Sequence, residues 1–259
     1  MLIEICPENP EGVAVPGKTA KEDSFSRCYR CFRPKVTCYC RYIKEIDVPV
    51  KFVFLMHPKE AYKQRTGTGR LSALSIKNSE ILVGINFENN ARLLELINSG
   101  EYFPMLLYPG RDAFPASGCK LKSLANGRIP LVIVIDSTWF FARKILRLTP
   151  VLQTLPKLSF SGNYRSKFQF KKQPAPECLS TIESCYYLIN EFLDSGIIPS
   201  ENPQGEKISP EPLMEIFLRM VHTQLEKEEE RERAGIPNRY DSCYHRRKLR
   251  RQAARQETP

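Results

Sequence analysis

Residues 131–135 (LVIVI) constrain the fold more than any other stretch, because five branched apolar side chains in a row suit a strand buried on both faces. Such strands are typical of parallel sheets that helices cover on both sides. Four further apolar runs, each closed by a polar or Pro/Gly break, read VKFVFLM, EILVGINF, FPMLLYPG and LPKLSFSG. Helical stretches lie between these runs, and the alternation predicts an α/β fold with a mostly parallel sheet covered by helices.

Capping signals mark two of the helices. A helix is predicted to begin at the capping box Ser180-x-x-Glu183 and to stop at Gly196. A longer helix is predicted to begin near Pro210 and to end at Gly235. Its first half carries one apolar stripe that packs on the body, and its second half, EKEEERER, is charged on every side.

The charge balance indicates an anionic partner. The 259 residues carry 39 Lys and Arg against 29 Asp and Glu, a net charge of +10, which favours nucleic acid or a phosphorylated substrate. The N-terminus has no basic start followed by an apolar segment, and the longest branched-apolar runs are about five residues where a membrane helix needs roughly 20. We therefore expect no signal peptide, no membrane span and a cytoplasmic protein.

Four of the nine cysteines fall within thirteen residues. Cys28 and Cys31 form a C-x2-C pair, and after six residues Cys38 and Cys40 form a C-x-C pair. Four thiolates can close a tetrahedron, and four sulfur ligands favour a structural zinc site. Two disulfides or four unrelated thiols would give the same letters, but a reducing compartment favours the metal.

Composition divides the chain into four parts. Residues 1–25 form a polar arm, 26–45 a small zinc knuckle, 46–235 the α/β domain and 236–259 a basic tail. Residues 239–255 hold seven Lys and Arg with one acid, as in arms that bind phosphates and in tails that are merely solvated.

Polar groups follow the first apolar run. His57 comes directly after it, either as a base or as a hydrogen-bonded structural residue. Further on, Gly67 and Gly69 free the backbone to offer amides to an anion, with Arg65 and Arg70 beside them. The segment lacks the Gly-Lys-Ser/Thr ending of a Walker motif, so it does not identify a nucleotide site.

An acid and the only tryptophan follow the central run. Asp136 and Trp139 stand where a strand turns into a helix, which is where open α/β sheets bind ligands. Asp136 could cap the helix and Trp139 could pack in the core. One face of that helix, however, carries Arg143, Lys144 and Arg147, a suitable surface for RNA. These residues predict a ligand site near Asp136, with nucleic acid beside it.

An ordered set of motifs resembles the DTW-domain family over roughly residues 28–193. The motifs are the four cysteines, His57-Pro58-x-Glu60, Leu107-Tyr108-Pro109, Asp136-Ser137-Thr138-Trp139 and Ser180-Thr181-x-Glu183. In the family an Arg- and Tyr-rich strand precedes the last motif. Here Lys171 and Lys172 stand in that place, and lysine neutralises a phosphate without the two-pronged bonding of arginine.

The resemblance implies an S-adenosylmethionine-dependent transferase that moves the 3-amino-3-carboxypropyl group onto N3 of a uridine in tRNA and releases 5′-methylthioadenosine. It implies a SPOUT-like knotted cofactor site, with Asp136 as the candidate base. The implied cofactor-binding residues are Leu107, Tyr108, Pro109, Asp136, Ser137, Thr138, Trp139, Ser180, Thr181 and Glu183. The candidate RNA-binding residues are Arg65, Arg70, Arg143, Lys144, Arg147, Lys171 and Lys172.

Two other functions fit the same residues. One is an RNA methyltransferase that uses the same cofactor, and the other is a zinc-ribbon RNA-binding protein without catalysis. The RNA itself could be ribosomal. Polar residues at three strand ends favour an enzyme over a passive binder.

Overall fold

A computed structural model describes residues 27–63, 66–168 and 178–236 of the chain. It divides into two compact units, the first ending at Tyr42 and the second beginning at Ile43. The first unit contains the 3-10 turns Lys35–Thr37 and Cys40–Tyr42. The predicted arm of residues 1–25 and most of the predicted tail of residues 236–259 lie outside the described residues.

The second unit is built on a six-stranded parallel sheet, as the alternation of runs predicts. Its strands are β1 Lys51–Met56, β2 Ser79–Val83, β3 Tyr102–Leu107, β4 Phe114–Pro115, β5 Ile129–Asp136 and β6 Lys157–Ser159. Their order across the sheet is β2-β1-β5-β3-β6-β4, and all of these pairings are parallel. Each of the five predicted runs overlaps a strand. The additional strand, β4, has two residues and is too short to show a periodicity.

Helices connect the strands. They are α1 Pro58–Lys63, α2 Thr68–Ser75, α3 Ala91–Asn98, α4 Cys119–Ala125, α5 Trp139–Leu148, α6 Val151–Thr154, α7 Thr181–Asp194 and α8 Glu211–Arg233. None of the helices in the described ranges is long and apolar enough to cross a membrane.

The long helix α8 has the two halves that its sequence predicts. Leu213, Phe217 and Met220 of the first half are fully buried. In the second half the charged side chains pair along the helix, as in the 2.7 Å contact between Lys227 and Glu230. Gly235 follows the helix with φ of +63°, a left-handed conformation that glycine adopts without strain.

Alternate residues of the central strands face opposite layers of helices. Val53, Leu131 and Ile133 belong to a buried cluster that includes Leu93 of α3 and Ile145 of α5. The intervening residues of β1 and β5 are buried too, on the side where α2 contacts β1 and where α7 and α8 contact α2. The sheet is therefore covered on both faces, which explains why its central strands are apolar without alternation.

The register of the sheet brings two of the predicted motifs together. Met56 at the end of β1 lies opposite Asp136 at the end of β5. The backbone N–H of His57 donates to the Asp136 carbonyl oxygen at 3.1 Å. The side chains that follow the two strands therefore meet at the carboxyl edge, where parallel α/β sheets bind ligands. The SPOUT-like knot remains a prediction.

Candidate functional site

A cavity of about 480 Å³ opens at the carboxyl edge of the sheet. Its walls come from the ends of β3, β5 and β6, from the first turns of α5 and α7, and from the loops beside them. The lining residues are Leu107, Tyr108, Pro109, Val134, Ile135, Ser137, Trp139, Ala142, Leu158, Ser159, Phe160, Gly162, Asn163, Tyr164, Cys178, Leu179, Thr181 and Ser184. The volume lies within the range of about 300–1,000 Å³ that is typical of small-molecule sites.

Asp136 lies behind the wall of the cavity, with 7% of its surface exposed. Its Oδ1 accepts a hydrogen bond of 2.6 Å from the hydroxyl of Thr181, the first residue of α7. Thr138 is the N-cap residue of α5, and its own side chain makes no capping bond. Asp136 reaches the cavity through Thr181, which lines it.

Gly69 explains how α2 fits against this acid. A Cβ atom at this position would lie 2.2 Å from Oδ2 of Asp136 and 2.4 Å from its Cγ. Real Cβ atoms do not approach so closely, and the residue is buried within α2. The glycine therefore leaves room for the carboxylate, and its predicted offer of a backbone amide to an anion stays a prediction.

Glu183 forms the predicted capping box and also binds the segment that follows β6. Its side chain is fully buried and accepts from the Ser180 backbone N–H at 2.9 Å. It also accepts from the Ser166 hydroxyl at 2.7 Å and from the Lys167 backbone N–H at 2.6 Å. Glu183 therefore joins α7 to the segment after β6 and does not line the cavity.

Glu191, two turns further along α7, holds the cavity-lining part of the same segment. Its carboxylate accepts from the backbone N–H groups of Ser161 and Gly162, each at 2.9 Å, and from the Tyr164 hydroxyl at 2.9 Å. Burial and this bond raise the pKa of Tyr164 to about 12. Tyr164 also stacks on Tyr187, with ring centroids 3.9 Å apart. Glu183, Tyr187 and Glu191 thus support the loop from one face of α7.

Replacing Glu191 by glutamine is expected to lower the free energy of unfolding by about 2 kcal/mol. The amide places an NH2 group where Oε2 now accepts from the Ser161 backbone N–H at 3.0 Å, so two donors face each other there even when the amide oxygen keeps the bonds made by Oε1. Asp194→Asn makes the same chemical change at an exposed position of α7 and should change stability by less than about 0.5 kcal/mol. Urea unfolding of both variants measures the difference, and equal stabilities would contradict the role given to Glu191.

Aromatic side chains cluster around the first turn of α5. Trp139 is 42% exposed and meets Tyr108 edge to face, with centroids 6.0 Å apart, so it is not a core residue. His57 stacks on Phe141 at 4.1 Å, and its Nδ1 accepts from the Lys59 backbone N–H. Burial, with the charges of Lys59 and Lys144, lowers the pKa of His57. These contacts hold the imidazole against the first turn of α5.

The predicted RNA-binding cations are found in two settings. Arg143, Lys144 and Arg147 are exposed on α5. Arg70 is half-buried and donates to the Ala61 carbonyl oxygen at 3.3 Å. The remaining three, Arg65, Lys171 and Lys172, lie outside the described residues.

The four cysteines of the first unit converge. All four Sγ atoms lie within 4.8 Å of one another, and this cluster could hold a metal ion. The Cys28–Cys40 and Cys31–Cys38 sulfur pairs are 3.7 and 3.6 Å apart. Zinc–sulfur bonds of 2.3 Å in a tetrahedron give sulfur–sulfur edges of about 3.8 Å. The observed spacing therefore fits tetrahedral zinc.

The cluster is also electrostatically suited to a cation. Burial works to raise the pKa of Cys28, but backbone hydrogen bonds from Cys31 and Arg30 outweigh it and lower that pKa to about 7. Burial, the charge of Cys31 and its neighbouring thiols raise the pKa of Cys40. Thiolate is the form that binds zinc, and a bound cation would favour it at these sulfurs.

Comparison with known proteins identifies the family. Residues 25–225 match the family model of the DTW domain, which is well over half of the chain. The chain belongs to the DTW-domain family. The match begins just before the cysteine cluster and ends within α8.

A curated relative of this DTW-domain chain is tRNA-uridine aminocarboxypropyltransferase 2 of Drosophila melanogaster. The two sequences are 29% identical over 167 residues, which is 61% of this chain and 63% of the relative. The chain thus matches less than two thirds of the relative's length. No solved structure matches the chain.

The DTW motifs contribute unequally to the cavity. Six of the predicted cofactor-binding residues line it, namely Leu107, Tyr108, Pro109, Ser137, Trp139 and Thr181. The other four, Asp136, Thr138, Ser180 and Glu183, stand outside the lining. The sequence analysis missed the loop of residues 160–164, although it follows a predicted strand at the same edge. Open α/β sheets bind ligands at the carboxyl ends of their strands, so the loop after β6 could have been predicted in the same way as the loops after β3 and β5.

Proposed function

We propose that this chain transfers the 3-amino-3-carboxypropyl group of S-adenosylmethionine to N3 of a uridine in tRNA, with release of 5′-methylthioadenosine. Membership of the DTW family and the activity named for the relative support this proposal. The observation that carries it is the cavity at the carboxyl edge of the sheet, where an aromatic wall faces a hydroxyl bonded to a buried acid.

The residues around the cavity suit the donor. Tyr108, Trp139 and Tyr164 offer aromatic faces and edges to an adenine or to a positively charged sulfur group. The buried carboxylate of Asp136 supplies a negative charge behind the wall. When bound, S-adenosylmethionine supplies a sulfonium whose three carbons are all open to attack, so the product depends on which carbon faces the nucleophile.

Thr181 and Asp136 are the groups proposed to take the proton from uridine N3. The Thr181 hydroxyl accepts the N3 proton at the cavity wall and passes its own proton along the existing 2.6 Å hydrogen bond to Asp136 Oδ1. The N3 electron pair is then free to form the new bond to carbon, and the leaving sulfur keeps the pair of the broken bond. The geometry favours this relay over direct contact, because Thr181 lines the cavity and Asp136 does not.

Mass spectrometry of tRNA after incubation with protein and S-adenosylmethionine tests the proposal. The expected result is a uridine that has gained the aminocarboxypropyl group, with methylthioadenosine as the by-product. A methylated base with S-adenosylhomocysteine would identify a methyltransferase instead. Unmodified tRNA together with modified ribosomal RNA would identify a different substrate. If the protein binds RNA but modifies neither tRNA nor ribosomal RNA, it is a non-catalytic RNA-binding protein.

We also propose that Cys28, Cys31, Cys38 and Cys40 hold one structural zinc ion and that residues 26–45 fold around it. The close sulfur spacing and the fit to a tetrahedron support this. The donor set is all sulfur and leaves no position for a substrate, so the ion would stabilise the fold and take no part in transfer.

The Cys31→Ser/Cys38→Ser double variant is expected to lose the zinc. Elemental analysis of the purified wild-type chain should give one zinc per molecule, and the variant should give less than about a tenth of that, because two of four ligands are gone. Cys178→Ser changes a cysteine outside the cluster and should keep the metal. Full zinc in the double variant, or none in the wild type, would remove this site.

A further inference from the structure

Phe140 is an unexpected residue on the surface of α5. It is 67% exposed, although a phenyl ring ordinarily gains free energy by leaving water. Phe140 shares its helix face with Arg143, Lys144 and Arg147, which follow it at intervals of three, four and seven residues. A single exposed stripe therefore begins with a large ring and continues as three cations.

Neighbouring rings hold Phe140 at this position. Its ring meets Phe141 edge to face, with centroids 5.3 Å apart. Phe141 in turn stacks on the buried His57, and the Lys59 ammonium lies 4.6 Å from the Phe141 ring centre. Phe140 is thus the outermost ring of a packed series, and one of its faces stays open to solvent. Such a ring binds a partner with little additional loss of side-chain freedom.

The positive charge around Phe140 indicates an anionic partner. Helix α5 (WFFARKILRL) contains no acidic residue. Within residues 27–63, 66–168 and 178–236, no carboxylate lies within ion-pair distance of Arg143, Lys144 or Arg147. An exposed aromatic ring beside exposed cations matches a single-stranded nucleic acid, in which flat bases alternate with phosphates.

We propose that Phe140 stacks against an unpaired base of the RNA substrate and that Arg143, Lys144 and Arg147 bind the phosphates that follow it. This inference rests on the proposed function, because it takes the RNA as the substrate. Trp139, the residue before Phe140, lines the cavity. The base on Phe140 is therefore a neighbour of the nucleotide that enters the cavity, and the chain of phosphates runs away from the cavity along α5.

The first test compares the affinities of variants for total tRNA by fluorescence anisotropy. Phe140→Ala is expected to raise the Kd about 5- to 160-fold, the range that loss of one stacked base produces. Phe140→Trp should keep the wild-type Kd, since indole stacks at least as well. Leu218→Ala removes a 40% exposed apolar side chain from α8 and should leave the Kd unchanged. Equal affinities of Phe140→Ala and wild type would overturn the proposal.

The second test separates the ring from the cations. Changing Arg143, Lys144 and Arg147 together to alanine should reduce the slope of log Kd against log salt by about 2, at roughly 0.7 for each phosphate contact in a single strand. Phe140→Ala should leave that slope unchanged. Lys122→Ala removes an exposed cation from α4 and is the matched control. A triple variant with the wild-type slope would remove the three cations from the interface.

A direct signal for stacking comes from moving the only tryptophan of the chain. In the double variant Trp139→Phe/Phe140→Trp, the single indole stands at position 140, and its fluorescence should be quenched by tRNA. Absence of quenching in tRNA-saturated protein would contradict stacking. The outcomes also separate the two proposals. If wild type binds tRNA through Phe140 but transfers nothing, the proposed reaction fails and the stacking surface stands. If transfer proceeds and Phe140→Ala binds like wild type, the reverse holds.

Discussion

Replacing Asp136 by asparagine is expected to slow aminocarboxypropyl transfer about 10²- to 10⁴-fold, the range that general-base catalysis contributes. The amide has nearly the same shape as the carboxylate and can still accept the bond from Thr181, so the protein should fold and bind tRNA. It cannot take up the proton that Thr181 passes on. Single-turnover measurement with saturating tRNA and S-adenosylmethionine isolates this step from binding.

Two companion variants define the role of Asp136. Thr181→Val removes the hydroxyl that joins Asp136 to the cavity, and in a relay it should lower the single-turnover rate about as much as Asp136→Asn. Asp47→Asn makes the same chemical change at an exposed carboxylate and should keep the wild-type rate. A nearly normal rate in Thr181→Val, combined with an inactive Asp136→Asn, would replace the relay with direct proton transfer to Asp136.

Gly69→Ala is expected to destabilise the second unit and to slow the reaction. The new Cβ would lie 2.2 Å from Oδ2 of Asp136, so either α2 or the carboxylate must move. Overpacking of this kind costs about 1–3 kcal/mol, and a displaced reactive group can cost about 100-fold in rate. The loss is expected even though alanine favours a helix over glycine by about 1 kcal/mol. Thermal unfolding and single-turnover rates measure the two effects.

The chain provides a matched control for this substitution. Gly100 has no atom within 4 Å of the position that a Cβ would occupy, and Gly100→Ala should leave both stability and rate unchanged. In the double variant Gly69→Ala/Asp136→Ala the crowded carboxylate is gone, so stability should recover while transfer stays absent. If Gly69→Ala alone were as stable and active as wild type, the close contact would not constrain the site.

The sequence predicted the sheet well because its signals are local. Each apolar run is bounded by residues that end a strand, and β5 is apolar throughout because helices cover both of its faces. The capping box of Ser180 and Glu183 likewise depends on residues three positions apart. The order of the strands could not be read in this way, because it depends on contacts between segments that are distant in sequence.

Long-range contacts also explain what the sequence analysis missed in the site. Gly69 was noticed in a glycine-containing loop, but its partner, Asp136, lies 67 positions further along the chain (136 minus 69). Glu191 looks like an ordinary polar residue of an amphipathic helix, and only the fold turns it toward Ser161 and Gly162. The exposure of Phe140 could not be predicted from the sequence either, since adjacent aromatic residues such as Trp139, Phe140 and Phe141 are typical of a buried core.

The hydrogen bonds between α7 and the loop of residues 160–164 limit how the cavity can be redesigned. The helix begins with Thr181, which binds Asp136, and its Glu183 and Glu191 side chains hold the segment after β6. A shift of this one helix would therefore displace both the proposed proton path and the loop that lines the cavity. To enlarge the cavity for a bulkier donor, substitutions should therefore be made in other lining side chains, and α7 with the hydrogen bonds of Glu183 and Glu191 should be kept.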